Sequence, residues 1–233
     1  MGRMIESVSE ECGCEVVGRI DEFSNAGGAG IGGPNWPRAD VAIDFTSPAA
    51  FVENFPRLAA LGINVVAGTT GWKPQEAAMR KIAADAGIGV VAAANFSVGV
   101  ALFEALVADA ARLFAARPEF GAWLHEIHHA AKLDAPSGTA LLLRAAMDAA
   151  GFGRPVDVAS SRAGSVPGTH TVGFDGPSET ITLTHAARDR GAFARGALAA
   201  AHWVNGRRGW FTLKDVLGLA VPASSQQPVP SQQ

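Results

Sequence analysis

Cysteine is almost missing: Cys12 and Cys14 are the only two in 233 residues, and no second cysteine–histidine cluster joins them to complete a zinc site. Neither a disulfide framework nor a metal is therefore expected, and the pair reads as reduced thiols of a cytosolic protein. An excess of positive charge is missing too. With 19 Lys and Arg against 22 Asp and Glu, the formal net charge is −3, which leaves no broad cationic face for nucleic-acid phosphates or an anionic membrane. No apolar run approaches the ~20 residues of a membrane helix. The opening "MGRMIESVSEE" carries acids where a signal peptide would carry its apolar core. These absences leave a soluble cytoplasmic chain whose partner is a small molecule. Its length allows one large domain or two small ones, and we expect two.

A dinucleotide fold normally opens on a strand and a glycine-rich turn, and no such strand stands before residue 2. Gly2 reads as the last glycine of such a turn, followed at once by a helix with Met4, Ile5 and Val8 on one face. The spacing Gly-x-Gly-x-x-Gly does occur over residues 28–33, but "PNWPRAD" follows where a helix should begin. That stretch is a decoy and is expected to be a flexible loop.

Apolar runs at "EVVGRI" (15–20), "VAIDF" (41–45), "NVVAGT" (64–69) and "IGVVAAAN" (88–95) read as strands buried on both faces of a parallel sheet. Helical patterns lie between them: one opens on Ser47-Pro48 and closes on Gly62, another has Pro74 near its start and Gly87 past its end. The fold class is therefore α/β, a Rossmann-like parallel-sheet cofactor domain lacking its first strand. Beyond a long helix from Ser97 the strands "WLHEIHHA", "THTVGF" and "ETITLTHAA" imply a mixed or antiparallel sheet, hence an α+β substrate domain. Alternation puts Glu126 and His128 on one face, and Ile181, Leu183 and His185 on one face opposite a row of threonines. That threonine face could meet another subunit's sheet. Apolar residues at 193, 197, 201 and 204 mark a further helix, and Thr212-x-x-Asp215 is a capping signal. The expected domains are 1–96 with 207–222, then 97–206, with 223–233 a disordered tail.

Chemistry concentrates in "EIHHAAKLDAPSGTA", residues 126–140. Pro136 pre-sets φ for a first helical turn, and Ser137, Gly138 and Thr139 offer amide and hydroxyl donors at the positive end of the next helix. Lys132 adds a full charge, so the ligand should be an anion. The adjacent His128 and His129 supply a proton-transfer group near neutral pH. Asp21 stands nineteen positions after Gly2, near the spacing of an acid that binds the adenosine ribose. Glu22 beside it would repel a 2′-phosphate, which favours NADH over NADPH. The turn Gly68-Thr69-Thr70-Gly71 ends a strand where cofactors approach, and Asn95 and Phe96 lie at a strand-to-helix passage. Arg162, His170, His185 and Arg190 are either further substrate-side groups or surface residues.

Taken with "DFTSP", "AGTTGW", "AANFSVGV" and "SRAGSVPGTHTVGF", these motifs resemble those of the dihydrodipicolinate reductases of lysine and diaminopimelate synthesis, in family order from residue 2 to about 219. The resemblance implies hydride transfer from NADH, or NADPH, to a cyclic unsaturated dicarboxylate, and a homotetramer assembled through the substrate-domain sheets. It implies His128 as general acid with Lys132 as its cationic partner. His129, Lys132, Ser137, Gly138 and Thr139 would bind the substrate carboxylates. Gly2, Asp21, Gly68, Thr69, Thr70, Ala94, Asn95 and Phe96 would meet the cofactor. Three departures stand out. The family's first strand and earlier phosphate-turn glycines are not there, as for a chain read from an internal methionine. Ala130 and Ala131 replace basic residues, and Ser47 stands where some members have arginine. Two other readings stay open: an inactive truncated relative that binds a dicarboxylate or only oligomerises, and a different NAD(P)-dependent amino-acid dehydrogenase.

Overall fold

Short runs of valine and alanine bounded by polar residues or glycine make the first sheet. They are β1 (Val41–Asp44), β2 (Asn64–Ala67), β3 (Gly89–Ala92) and β8 (Gly209–Phe211), in the order β1-β2-β3-β8 with every pairing parallel. This computed structural model describes residues 1–33 and 36–219; the expected tail and residues 220–222 lie outside the described residues. The chain divides into two compact units, Ile20–Ala93 with Ala199–Gln233, and Met1–Arg19 with Ala94–Leu198.

In the first of these, Val65, Val66, Val90 and Val91 are wholly buried, as strands covered on both faces must be. Helix α2 (Pro48–Ala60) starts on Ser47, whose hydroxyl accepts from the Ala50 N–H at 3.3 Å. Ser47 thus has a local task, the helix cap. Phe51 and Phe55 of α2 pack with Trp72, Val65 and Val90 in one core. Helix α3 (Glu76–Ala86) ends on Gly87 in the left-handed conformation. Helix α7 (Leu213–Val216) carries the capping box expected from Thr212 and Asp215.

The second unit is built on the sheet β5-β4-β6-β7, comprising β4 (Gly121–His128), β5 (Val156–Arg162), β6 (Thr169–Asp175) and β7 (Thr180–Ala186). Strand β5 runs parallel to β4 and the other pairings are antiparallel, so the sheet is mixed. Helices α4 (Val98–Ala115) and α5 (Gly138–Ala149) supply Phe103, Val107, Leu143 and Met147 to a core with Leu124, Val172 and Phe174. Helix α1 (Gly2–Ser9) buries Ile5 and Val8, while Met4 stays 37% exposed. Helix α6 (Gly191–Val204) buries Ala197, Ala201 and Val204 of the repeat expected of it, with Phe193 partly buried.

The class expected from the sequence holds: a Rossmann-like parallel sheet with helices, and a second, mixed-sheet domain. Some elements differ. Residues 15–20 form no strand, and Val16, Val17 and Ile20 are 37–45% exposed. An apolar run becomes a strand only where a ladder and a core accept it, and among the described residues β1 pairs with β2 alone. Strands β5 and β8 were not expected. The first is the polar edge sequence "VDVASSR" and the second has three residues, so neither carries a readable period.

Candidate active site

The register of the mixed sheet assembles the site. Glu126 of β4 lies opposite Ser160 of β5 and His170 of β6, and His170 lies opposite His185 of β7; His128 lies opposite Arg162. One step toward the other end of the strands, the same face carries Val158, Leu124, Val172 and Leu183. The face therefore changes from an apolar core to a polar cluster within one repeat of the pleat.

Glu126 is fully buried. Its Oε1 accepts from the Ser137 N–H (3.1 Å), the Ser160 hydroxyl (2.7 Å) and Arg162 Nη2 (2.8 Å). Burial alone would push this carboxyl up, but the bonds from Ser137, Arg162 and Ser160 outweigh it and lower the pKa to about 2. Oε2 lies 2.9 Å from Nδ1 of His128 and 3.7 Å from Nε2 of His170. The two rings meet edge to face, centroids 5.1 Å apart. Burial lowers the pKa of both imidazoles, to about 4 for His170, where the neighbouring His128 adds to the effect.

Ser137 ties this cluster to α5. Its hydroxyl accepts from the Ala140 N–H at 3.2 Å as the N-cap and lies 3.1 Å from Nε2 of His170. Because Ser137 donates its own N–H to Glu126, the amides of Gly138 and Thr139 are the donors that helix geometry leaves for a ligand. Nothing lies within 4 Å of the position a Gly138 Cβ would occupy, so that helix start opens on free space. Pro136 stands one residue before the cap instead of within the first turn.

Lys132 is partly buried and pairs with Asp134 at 2.6 Å. Its charge reaches both imidazoles, opposing their protonation. His129 is half-buried, with its carbonyl accepting from the Lys132 N–H. His185 has its pKa lowered by burial, and Arg190 is exposed and outside the cluster. The sequence alone gives Glu126 no role and leaves Arg162 and His170 open between the site and the surface. The one available signal was an acid sharing the His128 face of a buried strand.

His170 also gives the fold a pH signature. With its pKa lowered from 6.5 to about 4, the folded state binds this proton more weakly than the unfolded chain. Its contribution is therefore complete above pH 6.5 and is lost as pH falls toward 4, by at most about 3 kcal/mol at ~1.4 kcal/mol per unit. His170→Gln should flatten the fall in urea-unfolding free energy between these pH values. An unchanged slope would show that other groups set it.

In the parallel-sheet unit, the carboxyl ends of β1 and β2 are laced together. Asp44 Oδ1 accepts from the Thr46 N–H (3.0 Å), the Thr46 hydroxyl (2.8 Å) and the Thr69 hydroxyl (2.5 Å), and Trp72 Nε1 donates to the Thr69 carbonyl at 2.6 Å. Thr69 thus spends its hydroxyl holding the turn, while Thr70 is exposed. A Cβ on Gly68 would lie 2.2 Å from the Phe45 ring, so only glycine lets the turn lie this close. A rigid, glycine-containing turn at the carboxyl edge of a parallel sheet fits a dinucleotide. Asp21 is exposed and its Oδ1 accepts from the N–H groups of Phe23 and Ser24, which lower its pKa, the Ser24 bond most. Ala94 is exposed, Asn95 accepts from the Ser97 N–H at 2.8 Å, and Phe96 is buried. Gly2 opens α1 with no atom within 4 Å of its Cβ position. Gly28 ends a single 3-10 turn (Ala26–Gly28) and residues 29–33 are turns and a bend; among the described residues no strand leads into this stretch and no helix opens from it. There Gly28 has positive φ, and a Cβ would sit 2.0 Å from Arg57 Nη1, a packing role and not a phosphate cradle.

A parallel sheet with such turns, and a mixed sheet carrying imidazoles and a buried acid at a helix start, are the parts of a two-domain oxidoreductase of the dinucleotide-binding class. Comparison with known proteins makes this specific: residues 1–96 match the family model "Dihydrodipicolinate reductase, N-terminus" and residues 99–217 the corresponding C-terminus. The chain belongs to the dihydrodipicolinate reductase family. It is 37% identical to a 4-hydroxy-tetrahydrodipicolinate reductase of Rhodopseudomonas palustris (strain BisA53), covering 94% of this chain and 93% of the relative. To that of Christiangramia forsetii it is 34% identical, covering 93% of each. Among solved structures, the dipicolinate-bound dihydrodipicolinate reductase of Paenisporosarcina sp. TG-14 shares the fold, with TM-score 0.68 and 20% identity over 90% of this chain and 93% of that one. Family membership sets aside the reading as a different amino-acid dehydrogenase.

Proposed function

We propose that this chain reduces a cyclic unsaturated dicarboxylate, the dihydrodipicolinate formed when 4-hydroxy-tetrahydrodipicolinate loses its hydroxyl as water, to tetrahydrodipicolinate in lysine and diaminopimelate biosynthesis. The observation that carries the reading is the family match over nearly the whole chain, joined to a proton-transfer cluster at the start of α5. The reductant is a pyridine nucleotide, which supplies a hydride when bound. The residues of this chain then have defined tasks. Gly138 and Thr139 amides, with the dipole of α5 and the Lys132 ammonium, hold the carboxylates; His129 and the Ser137 cap complete that wall. Hydride addition to the conjugated imine leaves negative charge on the ring, and His128 delivers the proton that neutralises it, with Lys132 stabilising the charge. A dianion arriving beside His128 opposes the effect of burial and raises its pKa, so substrate itself favours the charged acid. Asp21, Gly68, Thr69, Thr70, Ala94, Asn95, Phe96 and Gly2 are the nucleotide-side residues of this reading. The work is cytoplasmic, and among the described residues no helix is long and apolar enough to cross a membrane.

The direct test mixes the purified chain with reduced nucleotide and freshly generated synthase product and follows loss of the reduced-nicotinamide absorbance. Turnover supports the reading. Its absence, with the chain folded, favours the inactive relative that only binds or assembles.

Two finer points belong to this proposal. Acids at positions 21 and 22 disfavour a 2′-phosphate, so kcat/KM with NADH should exceed that with NADPH, and the reverse ratio would overturn this preference. The outer face of the mixed sheet carries exposed Thr180, Thr182 and Thr184, with Thr184 hydrogen-bonded to Thr171 at 3.0 Å. Such a face suits pairing in a homotetramer. Light scattering should give four times the chain mass, and Thr182→Arg should lower it.

A further inference from the structure

The buried acid of the cluster has no task in the reaction as described, yet it is held more firmly than any catalytic group. All three of its hydrogen bonds, from β5 and from the N-terminus of α5, fall on Oε1. They leave Oε2 pointing at the two imidazoles with no hydrogen bond of its own. His128 Nδ1 is 2.9 Å away and is also buried without a hydrogen bond, so the ring approaches the carboxylate with its N–H off the line between them. On the other side of the ring, Nε2 lies 3.0 Å from where a Gly168 Cβ would be. The absence of that Cβ leaves room at the second nitrogen.

We propose that Glu126 is a positioning residue for His128: its anchored carboxylate keeps the proton on Nδ1 and so makes Nε2 the atom that gives and regains the proton. An anion beside one ring nitrogen favours the N–H at that nitrogen and stabilises the imidazolium. His128 needs that help, because burial above all, then Lys132 and Arg162, oppose its charging, while Glu126 and, more weakly, Asp134 favour it. His170 adds no competing charge. Its own protonation is opposed by burial and by His128, and its Nε2 is engaged with the Ser137 hydroxyl. Three donors on one oxygen and none on the other act as a clamp that aims the carboxylate without neutralising it.

A metal ion is the competing explanation, since Glu126, His128 and His170 offer ligand atoms within 4.8 Å of one another. Two features oppose it. Arg162 already occupies the carboxylate at 2.8 Å, and Ser137 engages the His170 nitrogen nearer to it. A divalent ion would add its charge to those of Arg162 and Lys132.

The proposal rests on the reading of His128 as general acid, and the tests separate the two. In the wild-type protein, ¹⁵N NMR of neutral His128 should show a protonated Nδ1 and a bare Nε2, the tautomer that free histidine disfavours; a protonated Nε2 overturns the proposal and needs no variant. In Glu126→Gln, kcat should fall by roughly 10²-fold while KM changes little. The alkaline limb of the rate profile, where His128 loses its proton, should move to lower pH. A purely packing role would leave that limb where it was, and overturn the proposal. So would stoichiometric Zn²⁺ binding that Glu126→Gln abolishes. If His128→Gln keeps most of the rate, the functional reading fails, whereas the tautomer still reports on Glu126.

Discussion

His128→Gln should lower kcat by about 10²- to 10⁴-fold, the range that general acid catalysis supplies, while KM for the dicarboxylate stays within a few-fold. Glutamine keeps an amide donor on the ring's side of the pocket, within reach of the Glu126 oxygen that His128 now approaches at 2.9 Å. It does not create an unpaired buried carboxylate, and the fold should survive. It cannot cycle a proton. Lys132→Ala should split the other way: in the proposed reaction the ammonium helps to hold the carboxylates, so KM should rise more than kcat falls. Steady-state kinetics on both variants, with thermal melts to confirm folding, decide the matter. If His128→Gln turns over like the wild type, another group donates the proton, and the assignment of this cluster as the reaction centre fails.

The sequence carried the fold well wherever burial was two-sided or amphipathic. Strands β2 and β3 were legible as apolar runs because both of their faces are covered, β1 was legible from its apolar composition although it is only partly buried, and α2 announced itself through Ser47-Pro48. Residues 15–20 show the limit of that rule. "EVVGRI" satisfies the composition of a strand, but strand formation is a property of a pair, and this segment has no ladder partner. Strand β5 shows the converse. Its polar residues conceal it, yet pairing with β4 from Ala122↔Val156 to His128↔Arg162 makes it part of the sheet that bears the site.

The candidate site was legible to the extent that it is local. His128, Lys132 and Ser137–Thr139 sit within a dozen residues, and a helix cap beside two imidazoles already implies an acid and an anion clamp. What binds Glu126 is not local. Ser160, Arg162 and His170 reach it only through the registers of two neighbouring strands, and register is set by the packed sheet and not by any one segment. The same limit explains Thr69. The turn reads as a cofactor contact, but its hydroxyl is committed to Asp44, twenty-five positions earlier in the chain, at 2.5 Å.

Arg162→Met should be the most destabilising substitution in the cluster. Arg162 gives Glu126 its one strong cation, 2.8 Å from Oε1, and its Nη2 also donates to the Asp134 carbonyl at 2.6 Å. Removing one partner of a buried pair costs about 3–5 kcal/mol, because the other charge is left without compensation. Arg162 keeps some solvent contact, its side chain being 18% exposed, which favours the lower end. The whole depression of Glu126, from 4.5 to about 2 against the opposing effect of burial, corresponds to about 3 kcal/mol at ~1.4 kcal/mol per unit, and Arg162 shares it with the hydrogen bonds from Ser137, the larger contributor, and Ser160. A depressed carboxyl pKa means that the folded state binds the proton more weakly than the unfolded chain. The stability from Glu126 is therefore fully present above pH 4.5 and disappears as pH falls from there toward 2. Wild type and Arg162→Met should accordingly differ most in urea-unfolding free energy near neutral pH, and their curves should converge in acid as Glu126 becomes protonated in both. A gap that stays constant to low pH would mean that the arginine stabilises through its stem and its carbonyl contacts, not through the carboxylate. In that case Glu126 would lack the firm charge that orienting His128 requires.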